Sequence, residues 1–521
     1  MNIELLRARF STKIEQVHLS TTGFYAYCAI VFPHKSRKRK ILLTKHLHSR
    51  KQTTGIWALN IANQKFNFIT APSIAKTVLG LPSSVASGDE STNYFLEAFF
   101  GDGGATRRMP QEAVWNLNHK TFNMLVRDPW LGRATEGIVR GLKERVGELV
   151  TLQGKGEGKG AVDCKSWEKT ANPTSFPDHV EVDLLPLIRT FVSEIAGPTL
   201  LGHAFFENNP SFLEDMWLWD SKFSLYLSRM PGWAPGLREA TKARKRMLDA
   251  FEEYLDVLVE HRRGTNSRER WNDLGDVSSV MFERAEGWKE IDAPVEVRTC
   301  NELLLVWGLL VNTNLVIYWY LYHIYSTPNL LSAIRAEIDP FIKASSLPMD
   351  SSSPNISTAP PSNTLYIDIN ALTRSCPLSK STYYEILRLY VMSFTFKDFH
   401  QDFHAQQSAS DTSTFNPRSH PSSKSYLLRK GEKAIVAHCA HQKDARFFPN
   451  PEEFDARRFI VNDKTGKETV SMGTMKAFGG GGSMCKGRNY AEREVLGIGA
   501  AILAVWNCEP VGVIPAYIDA L

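Results

Sequence analysis

Residues 303–325 read LLLVWGLLVNTNLVIYWYLYHIY, with Pro328 just beyond them. A helix over this run is apolar around its whole circumference, so it belongs either in a bilayer or in the middle of a large core. Asn312, Thr313 and Asn314 fall at its midpoint. Polar side chains are costly there in lipid unless a cavity or neighbouring helices receive them. The buried core helix is therefore the better reading, and it requires a domain large enough to surround it. A chain of 521 residues, 43% hydrophobic and 22% charged, supplies one.

The flanking sequence supports a mostly helical surround. The stretches 111–126, 187–202 and 240–263 repeat apolar residues at three- and four-residue steps, which predicts amphipathic helices. Residues 1–75 mix short β-rich runs with basic turns. The net charge is only +5, and the single basic cluster, at 34–51, has no counterpart elsewhere, so a nucleic-acid partner is not expected. The run FYAYCAIVF (24–32) is too short to span a bilayer as a helix, which needs about 20 residues. A buried strand, an interfacial segment and the remnant of an anchor are the readings open to it, the buried strand being preferred. Ser-, Thr- and Pro-rich stretches at 344–364 and 405–425 predict unstructured surface insertions within one domain. The seven cysteines are scattered without a CxxC pair, which excludes a disulfide framework and a four-cysteine zinc site.

One of those cysteines stands apart. Residues 478–488 read FGGGGSMCKGR. A phosphate-binding loop needs a second glycine before its lysine and a Ser or Thr after it. Cys485 and Gly487 occupy those two positions. A thiolate loop fits better: Phe478, Gly481, Cys485, Gly487 and Ala491 follow F-x-x-G-x-x-x-C-x-G-x-x-x-A, and a helical pattern begins at once. A cysteine just before a helix meets the positive end of its dipole, and glycines allow backbone N–H groups near the sulfur.

This loop resembles the heme-ligand loop of the cytochrome P450 superfamily, and other segments carry the same resemblance in the same order. YYEILRLY (383–390) holds Glu385 and Arg388 one turn apart, and FFPNPEEFDARRFI (447–460) resembles the later P-x-x-F-x-x-x-R-F segment. The resemblance implies a structural triad of Glu385, Arg388 and Arg458. YLLRKGEKAIVAHCAHQKD (426–444) looks like the strand pair and turn that the family places there. Within WGLLVNTN (307–314), Gly308, Asn312 and Thr313 partly match the oxygen-binding helix, with Asn312 where an acid is usual. This form resembles the branch of sterol 7α- and 12α-hydroxylases, prostacyclin synthase and related fungal secondary-metabolism members. Trp115 and His119 fit the W-x-x-x-R heme-propionate contact, with His119 or Lys120 replacing Arg.

The resemblance implies a mainly α cytochrome P450 fold with a minor β region, residues 55–521 forming the heme domain behind an N-terminal segment, 1–54, with a vestigial or missing membrane anchor. It implies heme b with Cys485 as axial ligand, Phe478, Gly481 and Gly487 around it, and Thr313 with Asn312 as distal catalytic residues. It further implies oxidation of a small lipophilic substrate (a steroid, terpenoid or other secondary metabolite) with electrons from NADPH through a cytochrome P450 reductase. The expected location is the cytosolic face of the endoplasmic reticulum membrane, with peripheral membrane contact. A heme-thiolate isomerase or dehydratase, and a non-catalytic heme binder, share the proximal motifs. Two departures bear on these expectations: Ser483 replaces the usual basic residue, and EPVGVIPAYIDAL (509–521) is shorter than the family's closing hairpin segment.

Overall fold

The computed structural model describes residues 4–9, 54–61, 64–151, 164–346, 363–418 and 420–511. The predicted strand at 24–32 lies outside them. Among the helices of the described residues are α1 (Pro72–Leu79), α2 (Gln111–Met124), α3 (Trp130–Arg145), α4 (Leu184–Ala196), α5 (Phe212–Asp220), α6 (Arg238–Arg262), α7 (Ser279–Glu290), α8 (Val295–Ser326), α9 (Pro377–Tyr390) and α10 (Arg488–Val505). The apolar run lies within α8, which begins after Pro294 and stops two residues before Pro328. Its most apolar window is 72% buried inside the protein. α4, α6, α9 and α10 pack around it, so the fold itself provides the apolar surround that the sequence demands.

α6 shows how the surrounding helices earn one dry face. Ala240, Ala243, Met247, Ala250, Phe251, Tyr254 and Leu258 recur at helical spacing and are buried, while Lys245 and Asp249 pair on the outer face. α2 is tied to α7 and α8 by a fully buried ion pair. Arg284 Nε donates to both carboxylate oxygens of Glu302 at 2.8 Å, and its Nη1 reaches Asn118 Oδ1 and Thr121 Oγ1 on α2. Trp288 Nε1 also donates to Glu302, at 2.5 Å. Charges at this depth persist only when paired and bonded in this manner.

A five-stranded sheet stands at one side: β1 (Ile56–Ile61), β2 (Gln64–Ile69), β3 (Ala86–Ser87), β4 (Phe394–Phe399) and β5 (Lys433–Ala437), in the order β1-β2-β5-β4-β3. Only the β2–β5 pair is parallel. Strand Glu4–Arg9 joins Trp506–Val511 and Val180–Asp183 in a second sheet.

Two expectations need correction here. Within 405–425 the described residues form the end of strand Phe403–Gln407, helix Ala409–Phe415 and the start of strand Lys424–Leu428, so the stretch is not an unstructured insertion. Most of 344–364 lies outside the described residues. The strands read as a pair within 426–444 are not partners, because Lys424–Leu428 pairs with Phe403–Gln407 whereas β5 pairs with β2 and β4.

Candidate cofactor and active site

The loop before α10 is shaped by its neighbours as much as by its sulfur. Gly479 and Gly481 hold positive φ, at 71° and 63°. A Cβ on Gly481 would lie 1.8 Å from the carbonyl oxygen of Leu79, at the end of α1. A Cβ on Gly480 would lie 2.9 Å from Leu79 Cδ1. These glycines therefore seat the loop against α1, whereas a Cβ on Gly487 would lie 3.9 Å from Cys485 Sγ, an ordinary contact. Gly481→Ala is expected to lower stability by about 1–3 kcal/mol through overpacking and strain. Gly482→Ala, with open space at its Cβ position and no positive φ, is expected to be near neutral. Thermal unfolding of the two variants checks the contrast.

Within this frame, Cys485 N donates to Phe478 O at 3.0 Å, and Arg488 Nη1 donates to Cys485 O at 2.8 Å. Among the described cysteines Cys485 alone is exposed. Although the residue is exposed, burial around its thiol raises the pKa, opposed by the Gly487 and Arg488 N–H groups and the Arg488 charge.

The central helix opens along one narrow strip. Gly308 and Asn312 are exposed, Leu304, Trp307 and Leu309 are half-buried, and nearly everything else at this level is buried. Nothing lies within 4 Å of a Cβ placed on Gly308. Thr313 is on the buried side, at 6% exposure, and its hydroxyl donates weakly to Leu309 O at 3.4 Å. The structure therefore separates the two distal residues: Asn312 faces open space, and Thr313 turns toward α10. Glu494 on α10 is fully buried with no formed hydrogen bond to either oxygen, and burial raises its carboxyl to about 8, opposed by the Thr313 hydroxyl. Sequence reading missed Glu494, although Tyr490, Glu494 and Ile498 share one stripe of α10 at four-residue steps.

On α2, Trp115 and His119 stack at 4.5 Å, and Trp115 is half exposed. His119 bonds Asn123, and Lys120 pairs with Glu283. Beyond α2, Val126 O accepts from Asn489 at the start of α10. A second missed residue is Lys397 on β4. It is buried, its pKa is lowered by burial against the pull of Asp89, and it makes no ion pair among the described residues; its Nζ donates to Ala86 O at 3.3 Å. Thr395, two residues back on the same strand face, is 3.6 Å from the Cβ position of Gly479. FTFKDF alone gives no clear clue, since alternation puts Phe394 and Phe396 on one face and Lys397 with Phe399 on the other.

The structure brings Glu385, Arg388 and Arg458 together. Arg388 donates to Glu385 through Nε at 2.7 Å and Nη2 at 2.8 Å, and Arg458 Nε reaches both Glu385 oxygens at 3.1 Å. Both guanidinium groups also donate to carbonyls between 442 and 453.

Taken together, fold and site define a mostly helical protein that presents one cysteine at a helix start and leaves one strip of its buried central helix open. The cytochrome P450 family model matches residues 29–357 and 421–515, and the chain belongs to that family. Thr313, Arg458 and Cys485 fall within the matched stretches; Glu385 and Arg388 fall between them. A crystal structure of a cytochrome P450 superposes with a TM-score of 0.55 at 15% identity, covering 89% of this chain and 91% of that one. Among curated relatives, a cytochrome P450 monooxygenase of Gibberella zeae is 26% identical over 37% of this chain and 32% of its own length. One from Hypoxylon pulicicidum is 23% identical over 53% and 46%. The 25-hydroxycholesterol 7-alpha-hydroxylase of Rattus norvegicus is 26% identical over 46% and 53%. The chain thus matches about a third to a half of the length of these relatives.

The family implies a heme, and the residues present fit one. Cys485 is an exposed cysteine with backbone N–H groups toward its sulfur, Gly308 leaves room on the central helix, and Lys397 is a buried lysine with no ion pair among the described residues.

Proposed function

We propose that the chain is a heme-thiolate monooxygenase that hydroxylates or otherwise oxidises a lipophilic substrate, a steroid, terpenoid or other secondary metabolite. The observation that carries this reading is Cys485, the one exposed thiol among the described residues, set at the start of α10 with two N–H groups toward its sulfur. Cys485 would hold the iron of heme b, and Phe478, Gly481 and Gly487 would shape its loop. Lys397 and the Trp115–His119 pair would hold the propionates. Heme supplies, when bound, the activation of O₂ by two electrons that puts one oxygen atom into the substrate and the other into water. Asn312 orients hydrogen bonds on the open strip, and Thr313 holds a proton on the side of α10.

Electrons come in this reading from NADPH through a cytochrome P450 reductase docking near the Cys485 loop. Lys486 offers the free charge there, since Arg488 also serves the Cys485 carbonyl. Trp233 (79% exposed) and Met230, in the loop before α6, are suited to peripheral contact with a membrane, for which the endoplasmic reticulum is the proposed site. The sterol named for the rat relative supports the substrate class.

The absorption spectrum of the reduced, carbon-monoxide-bound protein tests the cofactor. A strongly red-shifted Soret band is expected; a histidine-type spectrum rejects the assignment. Product formation that requires both NADPH and O₂ supports monooxygenation, and turnover without a reductant identifies an isomerase or dehydratase instead.

A further inference from the structure

Tyr390 is the last residue of α9, and its ring lies flat on the Trp319 indole of α8, with centroids 3.9 Å apart and planes 8° from parallel. The Tyr390 hydroxyl is 2.7 Å from His323 Nε2, one helical turn beyond Trp319 on α8. His323 in turn stacks on Phe454 at 4.0 Å, which fixes the plane of the imidazole. The heme-thiolate chemistry uses none of these side chains.

Two details set the group apart from ordinary aromatic packing. The first is a base. Burial keeps His323 neutral, lowering its pKa to about 3, so one ring nitrogen carries a lone pair. Where that nitrogen is Nε2, the phenol donates to it and has a partner able to keep its proton. The hydroxyls of Tyr254 and Tyr320 instead meet Leu201 O and Ser379 Oγ, which cannot keep one. The second is the indole. Trp319 is buried, and its Nε1 has no hydrogen-bond partner. An indole that loses an electron there has nowhere to send its proton, so it stays a cation and draws an electron from the ring stacked on it.

We propose that Trp319, Tyr390 and His323 form a relay that discharges strongly oxidising equivalents from the interior of the protein. One electron leaves the Trp319 indole for a one-electron oxidant. Tyr390 returns an electron to the indole while its O–H bond breaks and the proton passes to His323 Nε2. The products are a neutral phenoxyl radical and an imidazolium. Ascorbate then supplies one electron, the imidazolium returns the proton, and the resting group is restored. An oxidant derived from peroxide at the cofactor site rests on the monooxygenase reading; the relay itself does not.

Ruthenium(III) tris(bipyridine), generated by a light flash with persulfate as electron sink, supplies the oxidant to the purified full-length protein. Electron paramagnetic resonance of rapidly frozen samples reads the radical. A tyrosyl signal is expected that falls severalfold in Tyr390→Phe, which keeps the ring stack, the remainder coming from exposed tyrosines such as Tyr366. It is expected to fall severalfold in His323→Gln as well, because glutamine accepts the hydrogen bond but does not keep the proton, and in Trp319→Phe. A signal equal in wild type and Tyr390→Phe overturns the proposal. A signal lost in Tyr390→Phe but unchanged in the other two variants also overturns it, because Tyr390 is then an isolated oxidation site. The second measurement adds hydrogen peroxide to the heme-loaded protein and follows bleaching of the heme absorbance. Bleaching severalfold faster in Tyr390→Phe than in wild type is expected, and equal rates overturn the discharge role. A chain that binds no heme fails the monooxygenase reading, while the resonance result still decides the relay.

Discussion

Cys485→Ala is expected to abolish the red-shifted band of the reduced carbon-monoxide adduct, and Cys439→Ala to leave it in place. The difference follows from where each sulfur sits. Cys300, Cys376, Cys439 and Cys508 are buried, and burial pushes each thiol up to about 12, so none is available as a thiolate near neutral pH. Cys485 alone among the described cysteines is exposed; burial raises its thiol as well, but the Gly487 and Arg488 N–H groups and the Arg488 charge oppose that rise. Metal binding completes the deprotonation, because a coordinated sulfur is held as thiolate. The apoprotein should tolerate the change, since an exposed side chain contributes little to packing. Loss of the band with an unchanged melting temperature is the expected pair of results. A retained band would place the ligand on another cysteine.

What the sequence made legible, and what it hid, divides along a physical line. The long apolar run identified the helix at the middle of the fold because such a run has few solutions. The cysteine loop was legible for a similar reason: at 485 and 487 only one of its two readings survived. The purpose of its other glycines was not, because the close approach of Leu79 to Gly480 and Gly481 is a contact across some 400 residues of chain.

Residues 405–425 misled through composition. Ser, Thr and Asp suggest solvation, but here they satisfy one another. Ser408 caps the helix it precedes, its Oγ accepting from Asp411 N at 3.1 Å. Asp411 Oδ2 accepts from both Ser73 N and Ser73 Oγ, and Ser73 Oγ in turn accepts from Ser408 N. Phe415 closes the unit as a buried ring beneath the Arg446 guanidinium, at 4.2 Å. Polar residues that find partners at such range are indistinguishable, in sequence alone, from polar residues that face water. Glu494 is the converse case. It looks like a surface charge in YAEREVLG and proves to be buried without a formed partner.

Glu385→Ala is expected to destabilise the protein by about 3–5 kcal/mol, the cost of breaking a buried ion pair from one side. Glu385 and Arg388 have no exposed side-chain surface, and Arg458 has 10%. Removing the carboxylate leaves two guanidinium groups facing each other across a dry space. Arg388 keeps its bonds to the carbonyls of Gln442 and Pro451, and Arg458 keeps Pro449, so neither charge can swing out to water without abandoning them. Those carbonyls belong to the segment that runs on toward the Cys485 loop, so the penalty is expected to reach the site as well as the fold. A domain is stable by about 5–15 kcal/mol in all, which makes this loss a large fraction of the total. Glu385→Gln keeps the volume and some hydrogen bonding but not the charge, and should fall between wild type and alanine. Denaturant unfolding measures all three. A Glu385→Ala midpoint close to that of wild type would mean that the carbonyls alone neutralise both arginines, and that the carboxylate is dispensable to the lock.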